Sequence, residues 1–281
     1  MSFPEGPDPH PKRLLIVGGV AGGASAAARA RRLSEHSEII LFERGPHVSF
    51  ANCGLPYFVG GEIVQAGSLL LQTPQSLQAR FHLEVRVRTE VVRIDRADRQ
   101  VVARDLSNGR DYVERYDALI LSTGAAPLKP PIPGIERAGH FTVRSIPDVE
   151  QIMAWLRDGP GNRAVVVGGG YIGLEMAEQL KRRGLNVALV EALPQVMAPL
   201  DREMAAWLHQ ELRAQGVALH LNDPVAAFEA PRTDESARAS VVVLQSGARL
   251  PADVVVLGLG VRPEVGLAKD AGLRIGDRGG I

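Results

Sequence analysis

Apolar residues in this chain fall into short unbroken runs closed by glycine or polar residues, the pattern of strands buried on both faces. Leu14 to Val17 predicts one such strand, Gly18 to Gly23 a turn, Ala24 to Leu33 a helix, and Glu38 to Phe42 a second strand. Together they compose a βαβ unit. From Leu83 to Tyr116 the runs shorten and partly alternate (Val85, Val87; Val91, Val92, Ile94; Val101, Val102), broken at Asp98 to Gln100 and at Ser107 to Gly109, which predicts an antiparallel meander. Ala118 to Leu121 predicts a further strand leading into Ser122, Thr123 and Gly124, and a proline-rich linker runs from Pro127 to Pro133. Pro4, Pro7, Pro9 and Pro11 bar regular structure at the start, so residues 1–12 read as a loose tail.

The same order then recurs. Arg163 to Val167 repeats the first strand, Gly168 to Gly173 the turn, Leu174 to Arg183 the helix and Val187 to Val190 the second strand. The closing strands match too, with Asp117, Gly124 and Pro127 spaced as Asp253, Gly260 and Pro263 are. The fold class that follows is α/β, with two Rossmann-like dinucleotide-binding units, each a parallel sheet plus an antiparallel meander. The first unit is expected over 13–145 and the second over 146–270, with 271–281 turning back toward the first.

A tight glycine turn lets a pyrophosphate approach the backbone, and the helix behind it presents unpaired N–H groups and partial positive charge. The residues in question are Gly18, Val20, Ala21, Gly22 and Gly23 in the first turn and Gly168, Gly170, Tyr171, Ile172 and Gly173 in the second. The second turn fits G-x-G-x-x-G outright; in the first, Val20 stands at the middle glycine position. Either turn alone is compatible with an ordinary strand-to-helix connection. The repeat, with acids Glu43 and Glu191 at the ends of the second strands to hold ribose hydroxyls, favours two dinucleotide sites. Because Glu191 is followed by Ala192, Leu193, Pro194 and Gln195, with no arginine, the donor is expected to be NADH rather than NADPH.

Cys53 precedes Pro56, which is placed for the first turn of a helix. A thiol at a helix start is a candidate nucleophile, and a small buried core residue is the alternative. Ser25, Arg29 and Arg32 share one helix face that is either a phosphate clamp or a solvated charged surface, while Arg31 points elsewhere and can pair with Glu35. The histidines form no ligand cluster, so no metal site is assigned.

Length and charge narrow the function further. With 281 residues the chain suits roughly two domains, and 32 basic against 32 acidic residues leave no field favouring nucleic acid or an anionic membrane. The single cysteine excludes a disulfide framework, a multi-cysteine zinc site and a Cys-x-x-Cys pair within the chain. Lys12 and Arg13 ahead of Leu14 to Ala28 mimic a secretory signal, but the run suits strand, turn and helix better, and no run reaches membrane-spanning length; the reading is cytoplasmic.

At residues 13–45, 49–61, 116–134 and 164–191 the sequence resembles the FAD-dependent pyridine nucleotide-disulfide oxidoreductases. Within them it resembles the single-cysteine branch of coenzyme A-disulfide reductases and NADH-dependent persulfide or polysulfide reductases. The most specific element is Ser49-Phe-Ala-Asn-Cys53-Gly-Leu-Pro-Tyr57. The resemblance implies that Cys53 attacks a substrate disulfide or sulfane sulfur beside the flavin. It implies FAD at Gly18 to Gly23, Glu43, Arg44, Val91, Thr123 and Gly124, and NAD(P)H at Gly168 to Gly173 with Tyr171 near the nicotinamide and Glu175 facing that site. Ser25, Arg29, Arg32, Ser49 and Asn52 become substrate positions for CoA. Related NADH oxidases and peroxidases carry a histidine at the position of Ala21, so this chain resembles a thiol or polysulfide reductase more than a peroxidase. Relatives also continue past Ile281 into a segment returning to the FAD domain and a dimerisation domain, so the chain is expected to be C-terminally truncated, with a homodimer expected of the full-length form. The rivals are an NADH oxidase cycling Cys53 through a sulfenic acid and a nucleotide-binding module that cannot keep FAD.

Overall fold

The computed structural model describes residues 12–159, 161–231 and 240–281. The expected loose tail, apart from Lys12, lies outside the described residues. The chain divides into two compact units, one from residues up to 50, 70–125 and 263–281, the other from 51–69 and 126–262.

The first unit is built on a parallel sheet in the order Glu84–Arg86, Glu38–Phe42, Arg13–Val17, Ala118–Leu121. Successive side chains leave a strand on opposite faces, so the unbroken apolar runs serve two cores at once. Leu15, Val17, Ile40 and Phe42 pack on one face with Val91, Ile94, Val101 and Ala103 of the meander. Ile16, Ile39 and Leu41 pack on the other with Ala27, Leu77 and Leu83. Leu15, Ile16, Ile40 and Leu41 are wholly buried, each contributing about 1.5–3 kcal/mol. The helix Gly22–Leu33 turns Gly23, Ala24 and Ala27 inward, small residues that let it lie close to the sheet.

The antiparallel meander comprises Thr89–Asp95, Gln100–Asp105 and Arg110–Arg115. Val85, expected in it, belongs instead to Glu84–Arg86, which pairs parallel with Glu38–Phe42. The cause is the preceding helix Pro74–Phe81, opened by a Thr73–Ser76 capping box, which brings the chain back as a crossover.

The second unit repeats the plan with a five-stranded parallel sheet: Ala218–Leu221, Asn186–Glu191, Arg163–Val167, Val254–Leu257, His140–Phe141. Its antiparallel part is Val225–Glu229, Ser240–Leu244 and Arg249–Ala252. Contacts thus assign 126–145 and 51–69 to the second unit, where the sequence placed a boundary after 145. His140–Phe141 is a strand of its sheet, and the helix Leu55–Gly60 packs against Tyr171–Arg182 and Ile146–Asp158. Residues 263–270, read as part of the second unit, cluster with the first.

Arg31 does not pair with the Glu35 side chain. Its guanidinium donates to the carbonyls of Ser34, Glu35, Phe81 and His82 at 2.7–3.1 Å, gathering the C-terminal ends of two helices where carbonyls lack helical partners.

Candidate functional site: two nucleotide turns and an exposed thiol

The repeat extends to individual hydrogen bonds. In the first unit the Gly18 amide donates to the Phe42 carbonyl at 2.8 Å, and in the second Gly168 donates to Val190 at 2.8 Å. The Gly19 amide donates to Glu43 Oε2 at 2.8 Å and the Gly169 amide to Glu191 Oε2 at 2.6 Å. The other oxygen of each acid takes an amide two residues on, from Gly45 at 2.7 Å and from Leu193 at 2.8 Å. Both carboxylates thus anchor their glycine turns, a role that the sequence reading missed.

The glycines are required sterically. Gly18 and Gly168 hold φ of +96° and +107°, in the left-handed region. A side chain on Gly23 would collide with the Gly18 carbonyl, and one on Gly173 with the Gly168 carbonyl. Helices Gly22–Leu33 and Tyr171–Arg182 both start without a side-chain cap and without an acidic residue in the first turn. Among the described residues no side chain caps their first amides, and that arrangement fits a dinucleotide phosphate at each turn. A side chain at Gly170 would meet nothing within 4 Å, whereas at the matching position of the first turn Val20 is half-buried.

At the second turn a cleft of about 490 Å³ is lined by Gly168 to Tyr171, Glu191, Met197, Pro224 and Gly260, among others. That volume is in the range of ligand sites. Tyr171 is 71% exposed at this cleft. Met197, which the sequence did not single out, takes φ +50° and donates its amide to the Gly169 carbonyl at 2.8 Å. Ile172, Gly173 and Glu175 lie on the following helix outside the lining. Burial and then the charge of Glu178 push the Glu175 carboxyl up, and Glu175 in turn is the main influence holding the Tyr57 phenol above its ordinary range.

At the first turn, Arg44, Thr123 and Gly124 are joined through Glu264. Arg44 Nη2 is 2.6 Å from Glu264 Oε1, Thr123 Oγ1 donates to the Glu264 carbonyl at 2.5 Å, and the Glu264 amide donates to the Gly124 carbonyl at 2.9 Å. The hydrogen bond to Glu264 holds the Arg44 guanidinium above its already high range. The Val91 side chain lies in the core with Leu15 and Phe42, away from solvent, next to a β-bulge before Arg93.

Cys53 is exposed, so the buried-core reading is excluded. It lies in a single 3-10 turn, Asn52–Gly54, ahead of the six-residue helix Leu55–Gly60 with Pro56 in its first turn. Ser25, Arg29 and Arg32 are all exposed, and among the described residues neither arginine is in an ion pair. Ser49, at φ +44°, donates its amide to Gly19 and accepts the Leu71 amide. These four residues fall in the first unit, Asn52 and Cys53 in the second. Among the described residues no cluster of three or more His, Cys, Asp or Glu could hold a metal, and no helix is long and apolar enough to cross a membrane.

Two α/β units whose glycine turns each fit a dinucleotide phosphate, together with one exposed cysteine, are features of nucleotide-dependent redox proteins. Residues 12–281 match the pyridine nucleotide-disulphide oxidoreductase family, and the chain belongs to it. The reduced CoADR-RHD structure of Bacillus anthracis is 46% identical, with a TM-score of 0.90, over 96% of this chain and 47% of that one. A NAD-dependent persulfide reductase of A. fulgidus is 36% identical, with a TM-score of 0.89, over 95% and 49%. The NADH oxidase of Methanocaldococcus jannaschii is 32% identical over 94% of this chain and 58% of its own length. The chain spans about 58% of the curated relatives it matches, coenzyme A disulfide reductases among them. The family uses FAD and NAD(P)H.

Proposed function

We propose that this chain carries the electron path of a flavin-dependent reductase, from NADH to a small disulfide, persulfide or polysulfide, with coenzyme A disulfide as the favoured substrate. Gly18 to Gly23, Glu43, Arg44, Thr123 and Gly124 hold FAD, and the cleft at Gly168 to Tyr171, Glu191 and Gly260 holds the nicotinamide dinucleotide. FAD held there would supply two-electron redox chemistry between the nicotinamide and sulfur.

Cys53 supplies the covalent chemistry. Its thiolate attacks one sulfur of the substrate disulfide, the S–S bond breaks, and one thiolate leaves while a mixed disulfide forms on Cys53. Two electrons, supplied overall by NADH, and protons from solvent then release the second thiol and restore the Cys53 thiol. One NADH is consumed for each disulfide converted to two thiols. The exposure of a lone cysteine in its turn carries this reading, because an attacking thiol must be reached by a substrate sulfur and here has no second cysteine to close onto. Exposed Arg29 and Arg32, in no ion pair among the described residues, supply the charge that a phosphate-bearing substrate needs.

The NADH oxidase reading is favoured by the archaeal relative, and it would cycle Cys53 through a sulfenic acid. Ala21 weighs against it, since the resemblance places a histidine there in oxidases and peroxidases. Anaerobic NADH oxidation separates the two. Oxidation dependent on coenzyme A disulfide or polysulfide, with two thiols per NADH from the disulfide, supports the reductase. Oxidation that proceeds only with oxygen supports the oxidase.

A further inference from the structure

We infer that Glu264 is a positioning residue of the first nucleotide site, holding the Arg44 guanidinium and the Thr123–Gly124 turn in one fixed arrangement. The inference rests on the reading that this turn holds FAD. Three bonds carry it: the Arg44 ion pair at 2.6 Å, the Thr123 hydroxyl on the Glu264 carbonyl at 2.5 Å, and the Glu264 amide on the Gly124 carbonyl at 2.9 Å. They join three stretches far apart in sequence, and Arg44 directly follows Glu43, which anchors Gly19.

The second carboxylate near Arg44, Glu90, is 4.0 Å away, so Glu264 sets the arginine's place. Arg44 is 47% exposed and Glu264 27%, so the pair adds little to folding stability and is suited to ordering a long side chain. An arginine ordered beforehand loses less freedom when an anionic cofactor binds. Charge alone predicts the opposite effect: a carboxylate beside Arg44 weakens its pull on a phosphate, so removing it would tighten binding. The two roles of Glu264 therefore differ in sign.

The test is FAD affinity of the apoprotein, followed by flavin fluorescence, for wild type, Glu264→Gln and Glu264→Ala, with apoprotein melting measured alongside. Wild type is expected to bind FAD, Glu264→Ala to bind on the order of tenfold more weakly, as for loss of a charge-assisted hydrogen bond, and Glu264→Gln to fall between. Melting of the Gln variant is expected to stay at the wild-type value. In an Arg44→Ala background, Glu264→Gln is expected to have no further effect. Wild type that binds FAD while both Glu264 variants bind as tightly or more tightly overturns the inference alone, as do additive losses with Arg44→Ala. Wild type that takes up no FAD overturns the FAD assignment of the first turn, and this inference with it.

Discussion

The Gly169 amide donates to Glu191 Oε2 at 2.6 Å, fixing the glycine turn to the acid at the end of the neighbouring strand. The other oxygen takes the Leu193 amide at 2.8 Å, so the carboxylate reaches the cleft already oriented and with lone pairs to spare. A ribose 2′-hydroxyl can donate to it; a 2′-phosphate meets like charge. Wild type should therefore favour NADH over NADPH in kcat/KM. Glu191→Ala should move that ratio toward NADPH by roughly ten- to a hundredfold, or about 1–3 kcal/mol, and should also weaken NADH binding because the turn loses its anchor. A ratio that stays put in the variant would refute the assignment.

Arg29 and Arg32 lie on an exposed helix face and, among the described residues, make no ion pair. Replacing both with Ala should change folding stability by less than about 0.5 kcal/mol. The same change should raise KM for coenzyme A disulfide roughly tenfold or more, with little effect on inorganic polysulfide, which has no phosphate to clamp. Equal losses on both substrates would assign the pair a structural role instead.

Gly23 leaves no room for a Cβ beside the Gly18 carbonyl. Gly23→Ala should destabilise the first unit by ~1–3 kcal/mol and lower the melting temperature. It should also cost FAD affinity, because the turn must shift. An unchanged melting temperature would show that the turn is not held as described.

Asp253 ties the closing strand of the second unit to Arg163, accepting from its amide at 2.9 Å and from its guanidinium at 2.9 and 3.0 Å. The side-chain hydrogen bonds from Arg163 hold the Asp253 carboxyl below the usual range, more than burial raises it. A carboxylate depressed in the folded state stabilises above its unfolded pKa of about 3.9, and that contribution is lost as pH falls through the folded value. Asp253→Asn should therefore be less stable than wild type at pH 7 by about 1 kcal/mol. The gap should narrow as the pH is lowered below about 4. Urea unfolding at both pH values checks this, and a gap independent of pH would contradict it.

The repeat made most of this architecture legible. Apolar runs such as Leu14 to Val17, short and closed by glycine, read as strands buried on both faces, and the paired glycines and acids mark both turns. The helix Pro74–Phe81 carried a signal that the reading passed over, since Thr73 and Pro74 are a capping residue and a first-turn proline. The three residues of Glu84–Arg86 are too short to show a period, and only the crossover places them in the parallel sheet. Glu264 had no signal at all: a single acid after Pro263 gains its meaning from Arg44 and Thr123, which the fold brings to it. The exposure of Cys53, which its local sequence left open between nucleophile and core, was likewise decided by packing around Leu55, Phe58 and Val59, which are buried in its place.

In the proposed electron path, Cys53 is the sulfur through which electrons leave the protein. The most direct test of that role is Cys53→Ser, assayed anaerobically for NADH-dependent thiol release from coenzyme A disulfide and, in parallel, for NADH-dependent reduction of an artificial dye that takes electrons from the flavin. Thiol release should vanish in the Ser variant while dye reduction continues near the wild-type rate. A Ser variant that still reduces the disulfide at the wild-type rate would contradict the account.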